Sequence, residues 1–164
     1  ILKKYTREQK DNLIDNFYHP FYNRLNKIMY GLREKYGFAF LLNGHSMESN
    51  SPKSRIDSES KKRPDFCVGV LGGKSSNERI RKSFVDNLHN QLSDYKFNIN
   101  LDYPFMGKGN ISKIYSFPNK GYNTILLEIN QRIYMNEDYT YNKESINMLN
   151  DVLSNVMEQT LKSI

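Results

Sequence analysis

Residues Tyr36 to Met47 read YGFAFLLNGHSM. The apolar run Phe38-Ala39-Phe40-Leu41-Leu42 lies between Gly37 and Gly44. Its length and its glycine borders predict a strand over about residues 38 to 43, buried on both faces. Polar residues follow at once: Asn43, Gly44, His45 and Ser46. In open α/β sheets, ligands bind just beyond the carboxyl ends of the strands. His45 therefore stands where a metal ligand or proton carrier belongs, although a lone His in a polar loop is the plainer reading.

Working outward, Thr6 and Gln9 have capping-box spacing and open a helix over residues 6 to 17. Pro20 suits the first turn of a second helix, whose stripe is Phe21, Leu25, Ile28 and Leu32, widened by Met29. Gly37 ends it, and the stripe is expected to pack on the sheet. Tyr18, Tyr22 and Tyr30 read as packing residues rather than a platform for bases. Beyond His45, Met47 to Pro64 has no apolar period and reads as a mobile loop, either a cover for a site or an insertion.

Phe66 to Leu71 is a second buried strand, closed by Gly72-Gly73. Asn77 or Ser76 caps a helix with the stripe Ile80, Phe84, Leu88 and Leu92, and a third strand follows over about Phe97 to Leu101. This strand–helix–strand unit implies parallel pairing. Gly107 and Gly109 allow close backbone approach to a ligand. Ile111 to Phe117 alternates enough to be a short extra strand, and Tyr122 to Asn130 is the fourth. Glu128 interrupts that run, and a carboxylate among apolar strand residues is kept for a salt bridge or for chemistry. Arg132 is one candidate partner. Residues 143 to 162 form the last helix, with Ile146, Leu149, Leu153 and Val156 as its stripe.

The 164 residues fit one α/β domain, 1–164, with 38% hydrophobic and 26% charged residues. No apolar run is long enough to span a membrane. Cys67 is the sole cysteine, which excludes an internal disulfide and suits the cytoplasm. The net charge of +6 invites a nucleic-acid reading. The basic residues are scattered, however, except for Lys53, Arg55, Lys61, Lys62 and Arg63, which read as a solvated loop. The chain opens on Ile1 rather than Met and is read as a processed, trimmed or excised piece.

Four segments stand in order: LLNGHSM, RPDFCVGVLGG, NLDYPFMGKGNI and LLEINQRIYM. Together they resemble the N-formylglutamate amidohydrolase (deformylase) family, which looks related to the zinc carboxypeptidases. The resemblance implies a three-layer, mostly parallel or mixed sheet flanked by helices, of the phosphorylase/hydrolase-like kind and truncated at the N-terminus. It implies catalytic Zn2+ with His45 as a ligand and Glu128 as general base. Arg63 and Arg132 are weaker candidates for gripping a substrate carboxylate, with structural salt bridges the competing role. The family's earlier segment, with a further His and an acidic residue, has no counterpart here, and His19 and His89 are not at those positions. The chain thus resembles the C-terminal part of the family domain. A missing N-terminal segment or partner chain would complete the site. Two readings stay open. One is a zinc amidohydrolase acting on N-formyl-L-glutamate or a similar N-acyl amino acid, inactive as a partial chain unless completed. The other is a relic or binding module that keeps the fold.

Overall fold

The structure is a computed structural model that describes residues 4–52 and 62–164. Lys53, Arg55 and Lys61, and half of the expected mobile loop, lie outside the described residues. The described residues form two compact units, one ending at Ala39 and one running from Phe40 to Ile164. Among them, no helix is long and apolar enough to cross a membrane.

The first unit is helical. Helix α1 (Arg7–Leu13) starts at the expected capping box: Thr6 Oγ1 accepts from Gln9 N at 3.2 Å, and Thr6 N donates to Gln9 Oε1 at 3.0 Å. Instead of ending near residue 17, the chain passes through a π turn (Ile14–Tyr18) into α2 (His19–Tyr36). The His19 N–H reaches back to the Ile14 carbonyl, and Pro20 sits in the first turn of α2, where its missing N–H is tolerated. Gly37, at φ 78°, ends α2. Met29 is buried, while Phe21 and Ile28 of the expected stripe are exposed.

The second unit is built on a mixed four-stranded sheet in the order β1-β4-β2-β3, flanked by helices. Strand β2 (Phe66–Gly69) pairs parallel with β3 (Ile99–Leu101), as the strand–helix–strand pattern implies, with α3 (Glu78–Gln91) between them. Strand β4 (Tyr122–Asn130) lies antiparallel to β2, with Cys67 opposite Glu128. Strand β1 (Ala39–Met47) is longer than expected and stands at the end of the strand order, beside β4. It has one sheet neighbour among the described residues, and its burial is only partial. Phe40, Leu41 and Leu42 are half-buried, and Gly44, His45 and Ser46 are exposed.

Helix α3 buries Ile80, Phe84 and Leu88, the expected stripe, and packs against α5 (Lys143–Lys162). The Phe84 ring meets Phe40 of β1 edge-on at 6.1 Å. Asn77 Oδ1 caps α3 by accepting from Ile80 N at 2.8 Å, while Asn77 N donates to Asn123 Oδ1 of β4 at 2.8 Å. The helix start is thereby bolted to the central strand.

Three expected boundaries move for identifiable reasons. Strand β2 stops at Gly69 because the Asp102 carboxylate takes the next donors, accepting from Val70 N and Gly72 N at 2.6 Å each. Strand β3 starts only at Ile99 because Asn98 is held by Asp65: its N–H donates to the Asp65 carboxylate at 2.9 Å and its carbonyl accepts from Asp65 N at 3.0 Å. Ile111 to Phe117 is not a strand. Asn110–Tyr115 form α4, which buries Ser112 and Tyr115. The buried pair is spaced three apart, as one face of a helix requires and alternation does not, while Ile114 is exposed.

The segment after β3 folds back onto β2 at Gly69. A Cβ there would lie 2.8 Å from Gly107 N and from the Phe105 carbonyl oxygen, and both are backbone atoms. The two loop glycines expected near a ligand both line the larger cavity, and each also has a structural part. Gly107, at φ 78°, lets the loop sit against Gly69, and Gly109 is the N-cap of α4. Gly69→Ala is therefore expected to lower unfolding free energy by about 1–3 kcal/mol. Gly31→Ala, in mid-α2 with open space around the new methyl, is expected to raise it by roughly 0.5–1 kcal/mol. Urea unfolding of the two variants checks both signs.

Candidate active site

Side chains on one face of a strand recur every second residue. Asn43 and His45 of β1 share a face, as do Leu126 and Glu128 of β4, and all four line one cavity of about 790 Å³. The segment from Asp102 to Gly109 closes it with Phe105, Met106 and Lys108. A neighbouring cavity of about 440 Å³ shares His45, Phe105 and Glu128 and adds Arg63, Glu48 and Gln131. His45 and Glu128, far apart in the chain, are thus brought to the same place. Glu128 is 7% exposed, whereas His45 is open to solvent.

The two arginines part company. Arg63 reaches the smaller cavity and is 4% exposed. Its guanidinium lies 5.1 Å over the Phe105 ring and donates to the Glu48 carbonyl and to Ser51 Oγ at 3.4 Å each. Arg132 lines neither of these cavities. Its Nε and an η-nitrogen both meet Asp65 Oδ1, at 2.9 and 2.8 Å. It pairs with Asp65 rather than with Glu128, and the geometry is that of a structural ion pair. His19 sits in α2, 3.8 Å from Asp15, and His89 is exposed in the last turn of α3.

Several residues that hold the site stood in the quoted motif segments without a role assigned to them. Asn130 is fully buried: its Oδ1 accepts from Ser49 Oγ at 2.8 Å and from Arg132 N at 3.2 Å, and its Nδ2 donates to the Pro64 carbonyl at 2.9 Å. Its signal was an amide two residues after Glu128, in a strand otherwise rich in apolar residues. Phe105, on the wall of both cavities, and Lys108, on the larger, stood in the motif segment NLDYPFMGKGNI, which carried the resemblance but assigned neither a role.

A hydrolytic zinc site needs three protein ligands and an open position. Among the described residues, no group of three His, Cys, Asp or Glu side chains is placed to hold a metal ion. His45 offers one nitrogen. Asp102, also on the cavity wall, has its carboxylate engaged by two backbone N–H groups. The described residues alone do not make a zinc site.

A model of the family described as N-formylglutamate amidohydrolase matches residues 1–135, which include all four motif segments. The chain belongs to the N-formylglutamate amidohydrolase family. It is 26% identical over 156 residues to an N-formylglutamate deformylase of Pseudomonas putida, covering 94% of this chain and 55% of the relative. The fold matches that of an N-formylglutamate amidohydrolase from Ralstonia eutropha with a TM-score of 0.81 at 21% identity, over 99% of this chain and 58% of that one. A gene product of Agrobacterium tumefaciens matches with a TM-score of 0.67 at 13% identity, over 98% and 56% of the two chains. This family member thus spans a little more than half the length of these relatives.

Beneath the cavity floor, Cys67 stands opposite Glu128 and is fully buried. Burial pushes its thiol up from 9.0 to about 11, and the charges of Glu128 and Asp102 push the same way. The folded chain therefore keeps a proton that the unfolded chain releases earlier. The stabilisation this gives is complete below about pH 9 and is lost as pH rises through about 11. Unfolding free energy should fall more steeply across that window in the wild type than in Cys67→Ala. The native thiol should resist alkylation at pH 8 and react in urea.

Proposed function

We propose that this chain carries part of the active site of a zinc-dependent amidohydrolase acting on N-formyl-L-glutamate or a similar N-acyl amino acid, of the zinc-carboxypeptidase-related kind. The observation that supports this most is that His45 and Glu128 line one cavity on the two adjacent strands β1 and β4. His45 is assigned as one metal ligand. The donors that would complete the set lie outside the described residues, on a further segment or a partner chain.

Glu128 is assigned as the proton acceptor. Its carboxylate lies near the carboxyl end of β4, largely shielded, beside a wall formed by Phe105, Met106 and Leu126. A carboxylate placed there takes a proton from water as the water oxygen adds to the formyl carbon. The proton passes to the amide nitrogen as the C–N bond breaks, leaving formate and the free amino acid. The apolar wall limits competing water.

A second reading is that the chain keeps the fold as a binding module without turnover. It is favoured by the absence of a three-donor group among the described residues. Formate release from N-formyl-L-glutamate, measured with and without added zinc, separates the two. The amidohydrolase reading expects zinc-stimulated turnover, lowered about 10²- to 10⁴-fold by Glu128→Gln and abolished by His45→Ala, with circular dichroism unchanged. Equal turnover in wild type and both variants overturns the residue roles, and substrate binding without turnover even with the completing segment supplied favours the binding module.

A further inference from the structure

We infer that Lys108 is a specificity-determining residue, whose ammonium pairs with the side-chain carboxylate of an acidic N-acyl amino acid lying in the larger cavity. The inference rests on the placement of the reacting groups in that cavity argued above.

Lys108 is the one lysine or arginine on the wall of that cavity among the described residues. The two arginines first expected to hold a substrate carboxylate are differently placed: Arg132 is bound to Asp65, and Arg63 lies on the smaller cavity, stacked on Phe105. No hydrogen bond or ion pair engages Lys108 among the described residues. Of the two carboxylates on the same wall, Asp102 has both oxygens occupied, at 2.6 Å each, by the N–H groups of Val70 and Gly72, and Glu128 is the assigned proton acceptor.

Its side chain is exposed, but the backbone that carries it is anchored. Leu71 N donates to the Met106 carbonyl at 3.0 Å, and Gly107 packs on the Gly69 backbone, so the residue just before Lys108 is clamped to β2. The same wall carries the apolar side chains of Met106, Phe105 and Leu126. A short methylene chain ending in a carboxylate satisfies both features: the methylenes lie on the apolar wall and the anion meets the ammonium. A neutral amide of the same shape satisfies only the first.

The test compares N-formyl-L-glutamate with its isostere N-formyl-L-glutamine on the full chain. Affinity is measured by calorimetry and turnover by formate release, in wild type, Lys108→Met and Lys108→Arg. The expected result is that wild type binds the glutamate compound about 10- to 100-fold more tightly than the glutamine compound. Lys108→Met abolishes that preference by weakening glutamate binding alone, and Lys108→Arg restores most of it. Where turnover is seen, the change falls on KM rather than kcat. Equal loss for both ligands, an unchanged preference in Lys108→Met, or no binding of either ligand overturns the inference. Lys108-dependent binding leaves this inference standing whether or not turnover is seen. Turnover with no dependence on Lys108 overturns it and leaves the amidohydrolase reading standing.

Discussion

The buried amide of Asn130 is the junction on which the site depends. One side chain ties the end of β1, through Ser49, to the segment entering β2, through Pro64, and to the turn after β4, through the Arg132 N–H. Asp65 extends the junction sideways. Its backbone carbonyl accepts from Asn130 N at 2.9 Å, and its carboxylate holds Arg132 and Asn98. A buried amide or carboxylate is costly unless its hydrogen bonds are made, and here they are made to different segments of chain. The carboxyl ends of β1 and β4 are therefore held together, and His45 and Glu128 face one cavity as a consequence.

A second clamp works at the other side of the cavity. Asp102 ends β3 and caps the departing end of β2, and the chain beyond it lies back along Gly69 without room for a methyl group. Phe105 and Lys108 are carried on that clamped segment, so the cavity wall is rigid backbone and not a free loop. The residue types follow. Glycine stands where two backbones touch, aspartate where two N–H groups lack a sheet partner, and asparagine where three segments converge.

Much of the fold was legible. Strand Tyr122–Asn130 and helix Lys143–Lys162 were found at their true ends, because each carries a long, unambiguous period and a clear stop. The Thr6–Gln9 capping box was legible because its chemistry is local. What failed was non-local. Nothing near Val70 says that a carboxylate thirty-odd residues on will take its N–H, and nothing near residue 111 decides between a helix and a strand when the spacing admits both. The burial of β1 was overestimated because an apolar run reports how many faces a strand can bury, not how many neighbours it meets.

The same limit governs the site. His45 and Glu128 stood out because each is chemically unusual for its place, a His after an apolar run and a Glu inside one. Arginine does not stand out in that way, since its charge suits a surface, an ion pair or a ligand equally well. Sequence could name Arg63 and Arg132 as candidates but not divide them. The division comes from their partners: Asp65 takes Arg132, and the Phe105 ring stacks on Arg63 at the smaller cavity. A cation with a buried counter-ion holds the fold, since releasing it to a ligand would strand a charge. Only a cation without one can change partners when a ligand arrives.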